Sequence, residues 1–210
     1  DPEMSRGLGD VYKRQNLIGG IVMIIRNKSD SLYHLEKLGL NYFPEKVFNP
    51  RDENMLGMVS RFLSENDADL YVIRDVSKCQ GKTFFNMSKE EVLKNVLAYD
   101  NNFSVAVSSK NYGKYELIGD IYISDTLDKF WLLASDNPNY NTRGVLQDPK
   151  WNYSTDYYDR RIKYVTNVDK IIDYIFVHHL FNVVVEFAVY PQRVGKNNEF
   201  VAIFELRTHY

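Results

Sequence analysis

The sequence predicts an α+β fold built mainly from antiparallel strands. Three observations predict it. Apolar residues recur at helical spacing in separate blocks, as at Met55, Val59, Phe62 and Leu63. Short apolar runs follow one another across polar turns between residues 103 and 134. The chain closes on two runs, residues 182–190 and 199–207, joined by a stretch carrying Pro191, Gly195 and Asn197-Asn198.

Composition narrows the function classes. A chain of 210 residues is long enough for one domain with a real core. Its 26 Lys and Arg nearly balance 28 Asp and Glu, so there is no electrostatic case for nucleic acid or an anionic membrane as partner. No apolar run is long enough for a transmembrane helix. Cys79 is the only cysteine, which excludes a disulfide framework and a thiolate metal centre and favours a reducing, cytoplasmic setting.

Residues 1–15 show no apolar period. Asp10-Val11-Tyr12-Lys13-Arg14-Gln15 resembles a translated transposon mosaic-end adapter used in sequencing libraries. Gly19-Gly20 can be encoded by a ribosome-binding GGAGG, with Ile21-Val22 as the spacer before Met23. We therefore expect residues 1–22 to be a non-native adapter and untranslated-region translation, with a bacterial protein starting at Met23. The domain is then 23–210.

The elements are expected in this order. Met23-Ile24-Ile25 can form a short strand. Ser29 or Asp30 can cap a helix whose apolar positions Leu32, Leu35 and Leu38 follow a three-residue spacing, with Gly39 as its stop. A turn at Asn41-Tyr42-Phe43-Pro44 leads into Lys46-Val47-Phe48, and a second helix covers 53–64. Residues 69–74 read as a buried strand. Ser88 and Glu91 form a capping box that opens a helix over 89–97. Strands follow over 103–109, 117–124 and 129–134, and then a long polar stretch, 136–159, without an assigned element. A helix over 168–179 has Ile171, Ile172, Ile175 and Phe176 as its apolar positions.

The closing hairpin holds the first candidate chemistry. Alternation places Val183, Val185, Phe187 and Val189 on one face, where Phe200, Ala202, Phe204 and Leu206 can join them. Glu186, Glu205 and Arg207 fall on the other. With the turn centred near Gly195-Lys196, Glu186 stands opposite Glu205, a like-charge pair that destabilises a sheet. A cation such as Mg²⁺ carrying nucleotide phosphates would relieve it; so would Arg207, as a surface ion pair.

Arg74 is the second candidate, since an arginine ending a buried strand needs an anionic partner. The loop after it offers Ser77, Lys78, Gly81 and Lys82, a composition able to hold phosphate. The Walker spacing is absent. Asp75 or Glu186 could equally pair with Arg74. The histidines add little: His34 reads as a surface residue, His178-His179 end a helix, and His209 follows the hairpin. No H-E-x-x-H run or nucleophile-base pair argues for hydrolysis. Arg160, Arg161 and Lys163 read as a solvated face, unless Arg143 or Arg160 folds toward the hairpin.

Taken in order, these features resemble the ATP-grasp nucleotide-binding part of phosphoenolpyruvate synthase and pyruvate phosphate dikinase. Lys28, Leu32, Leu35 and Pro44 match that family's "K-x-x-x-L-x-x-L" helix and proline turn. Val72-Ile73-Arg74-Asp75 looks like its "V-R-S-S" strand end. Residues 81–86 are similar to its glycine loop, aromatic and asparagine. Val185-Glu186-Phe187 and Phe204-Glu205-Leu206-Arg207 look like its "I-E-[WF]" and "L-Q-x-R" strands. The order agrees over nearly all of 23–210.

The resemblance implies two small α+β lobes with ATP and Mg²⁺ between them. Lys28, Arg74, Lys78, Lys82 and Arg207 would contact the nucleotide, Glu186 and Glu205 would hold the metal, and Arg74 and Arg207 would neutralise charge during transfer. The departures are Arg26-Asn27 where the family has paired glycines, Val184 where it has an acid, and Glu205 where it has glutamine. The expected activity is that of an ATP-dependent phosphotransferase or ligase on an unidentified small-molecule acceptor. The alternative is a non-catalytic module that keeps the fold and binds a nucleotide or a protein partner.

Overall fold

The computed structural model describes residues 25–77, 82–137, 149–155, 168–191 and 200–208. The segments 1–24 and 78–81, with Lys78 and Gly81, lie outside that set. So do 138–148, 156–167 and 192–199, which hold Arg143, Arg160, Arg161, Lys163 and the hairpin turn, and His209.

Among the described residues, four α-helices and nine strands make two antiparallel sheets with helices, the predicted α+β class. In chain order they are α1 (Lys28–Lys37), β1 (Glu45–Phe48), α2 (Met55–Glu65), β2 (Tyr71–Asp75), β3 (Thr83–Met87), α3 (Lys89–Asn95) and β4 (Phe103–Val107). After these come β5 (Leu117–Ile123), β6 (Phe130–Ser135), β7 (Trp151–Thr155), α4 (Asp169–His178), β8 (Val183–Tyr190) and β9 (Phe200–Thr208). The first sheet has the order β1-β4-β2-β3 and the second β7-β6-β5-β8-β9. No helix among the described residues is long and apolar enough to cross a membrane.

Each sheet buries one face under its own helices. In the first, Phe48, Tyr71, Ile73, Phe103 and Val105 pack against Met55, Val59, Phe62 and Leu63 of α2 and Val92 of α3. In the second, Ile121, Val185, Phe187 and Ile203 pack against Leu32 and Leu35 of α1 and Ile171, Ile172 and Ile175 of α4. The opposite face of each sheet is left to the space between them, and the period-two alternation of the strands places the charged residues there.

Local chemistry explains the boundaries. Asn27 caps α1 two residues before the expected Ser29, because its side chain accepts from the Asp30 amide; this makes Lys28 the first helical residue. Gly39, at φ +62, ends that helix as predicted. Of the three apolar positions read in this helix, Leu32 and Leu35 are buried and Leu38 is exposed, while Leu40 beyond the stop is buried. The Ser88–Glu91 capping box is present on both sides.

Two strands escaped the sequence. The aromatic-Asn stretch after the glycine loop is β3, with Asn86 at φ +57 in a bulge against β2. The polar stretch 136–159 contains edge strand β7, whose half-exposed residues gave no apolar run. Ile25 is buried but lies outside any strand.

The closing hairpin has Glu186 directly opposite Glu205, as its alternation predicts. A bulge follows at once: Phe187 pairs with Ile203, so Phe204 is the extra residue. One residue of slip exchanges the faces. Val201 and Ile203 therefore enter the helix-covered core in place of the expected Ala202 and Phe204, which pack with Phe43 and Tyr190 on the other side. Leu206, beyond the bulge, is in the core as predicted.

Candidate functional site

A cavity of about 1050 Å³ lies between the two sheets. Lys28, Glu45, Arg74, Glu186 and Glu205 all line it, together with aromatic residues that include Phe43, Tyr115, Tyr190 and Phe204. Four of the residues picked from sequence therefore share one space, although up to 177 positions separate them in the chain.

Lys28 reaches the cavity because Asn27 starts α1 beside β9. Its ammonium donates to the carbonyl of the bulge residue Phe204 and lies 3.4 Å from Glu45 Oε2. The bulge turns Phe204 to the cavity side, and the carbonyl of this extra residue is the one that accepts from the lysine. The rest of this sheet edge is covered in the same way. The Leu206 amide donates to Ser31 Oγ at 2.8 Å, and the Ile203 amide donates to the Asn41 carbonyl at 2.8 Å.

Arg74 faces the cavity from β2, but its partner is neither Asp75 nor Glu186. Its Nε lies 3.6 Å from Glu45 Oε1. Asp75 instead accepts from the Ser77 amide and hydroxyl, closing its own turn. Glu45, which sequence reasoning missed, is the buried centre of this group, its side chain 6% exposed. Ser104 Oγ donates to it at 2.6 Å. Burial works against ionisation of Glu45, yet Lys28, Arg74 and the Ser104 hydroxyl outweigh it and hold the carboxyl below its ordinary value.

The second charged group is a row across three strands. Asp120 on β5 pairs with Glu186 on β8, which pairs with Glu205 on β9. Arg207 donates through Nη2 to Asp120 Oδ1 at 2.9 Å. Burial, and then the neighbouring Glu186, raise the Asp120 carboxyl to about 6 against the pull of Arg207. Burial alone would lower the Arg207 value, but Asp120, Glu186 and Glu205 together hold it raised. Arg207 therefore answers three carboxylates rather than two, and its direct partner is the one the hairpin could not reveal. A legible signal existed: Asp120 stands in the middle of the apolar run Leu117-Ile118-Gly119-Asp120-Ile121, where an unpartnered carboxylate would be costly.

Arg207 and Asp120 lie beside the cavity and do not line it. Lys82 does not line it either, and its ammonium is 4.7 Å from the Phe84 ring centre. Val184 pairs with Arg207 on one side and Tyr122 on the other.

Among the described residues, no group of three or more His, Cys, Asp or Glu side chains is arranged to hold a metal ion by itself. Magnesium asks less than that. It is commonly held by one or two carboxylates, with phosphate oxygens and water completing the shell. Glu186 and Glu205, opposed at one register and lining the cavity, fit such a donor set.

No family model and no curated protein matches the chain. Solved structures similar to it include D-alanine-D-alanine ligase from Coxiella burnetii, at 15% identity and a TM-score of 0.47, covering 86% of this chain and 47% of that one. The Helicobacter pylori D-alanine-D-alanine ligase gives 9%, 0.49, 86% and 53% for the same quantities. The ADP complex of N5-carboxyaminoimidazole ribonucleotide synthetase gives 12%, 0.49, 87% and 45%. The chain thus spans about half the length of the solved structures it matches.

Proposed function

We propose that this chain is an ATP-grasp-like domain that binds ATP with Mg²⁺ in the cleft between its two sheets. One observation carries the reading: Lys28 and Arg74 enter the same cavity as the opposed carboxylates Glu186 and Glu205. Two cations and two hard anions lining one space suit a polyphosphate bridged to a divalent ion.

In this reading Lys28 and Arg74 bind phosphate oxygens while Glu45 keeps both heads oriented. Glu186 and Glu205 would hold Mg²⁺, which when bound would supply positive charge against the phosphates. Arg207, beside them, contributes positive charge where negative charge grows during transfer. The aromatic end of the cavity, with Phe43, Tyr115 and Tyr190, takes the flat part of the nucleotide. The reaction is that of a ligase or phosphotransferase, with a carboxylate or another small molecule as acceptor.

Unfolding with and without Mg²⁺-ATP tests binding. A ligand at about 100 times its dissociation constant adds about 2.7 kcal/mol, and Glu205→Ala should abolish that gain. No gain in the unaltered protein overturns the proposal. A gain without ATP turnover across amino acids and other carboxylates as acceptors points to a binding module that keeps the fold without the reaction.

A further inference from the structure

We propose that Asp120 is a positioning residue for the metal seat: it draws the Arg207 guanidinium aside so that a divalent cation can occupy Glu186 and Glu205. The inference rests on the nucleotide–metal reading of the site and adds a residue and a role to it.

The geometry that carries it is the reach of Arg207. That residue stands on edge strand β9, whereas Asp120 is on β5, with β8 between them. Adjacent strands are about 4.8 Å apart, so the backbones of Arg207 and Asp120 are roughly 10 Å apart across the sheet, and the two side chains reach toward each other over β8 to make the 2.9 Å bond. The bond thus crosses the strand of Glu186, and Glu205 is two residues before Arg207 on its own strand. All three carboxylates attract it. Asp120 is the buried one, its side chain 10% exposed, and an ion pair is stronger where water is excluded. An arginine that loses this anchor has Glu186 and Glu205 as its remaining anions. It would then compete with a divalent cation for the same oxygens.

Neither a direct ligand nor a merely structural residue makes the same demand. If Asp120 acts through Arg207, removing its charge matters only while Arg207 is present. The test is a double-mutant cycle read by Mn²⁺ binding, followed by electron paramagnetic resonance with a non-hydrolysable ATP analogue present. Asp120→Asn should weaken Mn²⁺ binding tenfold or more in the otherwise unaltered protein. In an Arg207→Gln background the same change should cost less than threefold. Equal losses in both backgrounds, or no loss in either, overturn the inference. Failure of the unaltered protein to bind Mn²⁺ with the analogue instead overturns the metal reading beneath it. Thermal unfolding of each variant monitors the fold, and Asp120→Ser runs the same cycle should Asp120→Asn not fold.

Discussion

Lys28 and Glu45 meet at 3.4 Å across the two sheets, one from the helix that covers the β9 edge and the other from strand β1. Their side chains are 9% and 6% exposed, so this contact is shielded from solvent. Arg74 completes the group from β2. The charges proposed to receive phosphate are therefore already organised around a carboxylate, and that carboxylate ties the two halves of the domain together.

Glu45→Gln keeps the shape of the side chain but leaves Lys28 and Arg74 without their shared anion. Breaking a buried pair from one side costs about 3–5 kcal/mol, because the remaining charge is uncompensated. Urea unfolding at neutral pH should show a loss of that order. A change below about 1 kcal/mol would mean that the group behaves as an exposed pair.

The same residue sets a pH dependence. Its folded value lies below its ordinary 4.5, so the folded state binds fewer protons than the unfolded chain in that interval. The stability it contributes is complete above about pH 4.5 and is lost as pH falls through the lowered folded value. The stability gap between the unaltered protein and Glu45→Gln should be widest near neutrality. It should narrow as both are taken to lower pH. A gap that widened on acidification would reverse the sign.

What the sequence made legible was governed by period and by punctuation. The Ser88 capping box, the Gly39 stop and the apolar face of α2 depend on residues within a few positions of one another, and they stand as expected. So does the Glu186–Glu205 pairing, although the register between the bulge and the turn is one residue away from the one that alternation alone would give it. The Phe204 bulge was not legible, since no glycine or break in alternation marks it. Glu45 was passed over because one acid after Pro44 looks like a surface residue until the fold brings Lys28 and Arg74 to it. Asp120 could have been flagged by its apolar neighbours, but its arginine lies 87 positions away.

Ser31 tests how the β9 edge is held. Its hydroxyl accepts from the Leu206 amide at 2.8 Å in a buried setting, and Leu206 adjoins both Glu205 and Arg207. Ser31→Ala leaves that amide without its acceptor, at a cost of about 1–3 kcal/mol. Hydrogen exchange should quicken at Leu206 before it does in β5, because an edge strand opens more easily than a central one. Unchanged protection at Leu206 would show that the helix does not secure the edge.

Gly119 supplies the last test, since it lies next to Asp120 in the central strand of the second sheet. A Cβ at this position would come within 2.3 Å of the Leu133 carbonyl oxygen and 2.8 Å of Ala134 Cβ. The first clash is with backbone, so β5 and β6 would have to separate. Overpacking of this kind costs about 1–3 kcal/mol or more. Gly119→Ala should lower stability by at least that amount. It should also weaken Mn²⁺ binding in the presence of the ATP analogue, because Asp120 moves with the strand that carries it. A variant that lost stability but bound Mn²⁺ normally would show that the Asp120–Arg207 pair tolerates displacement of β5.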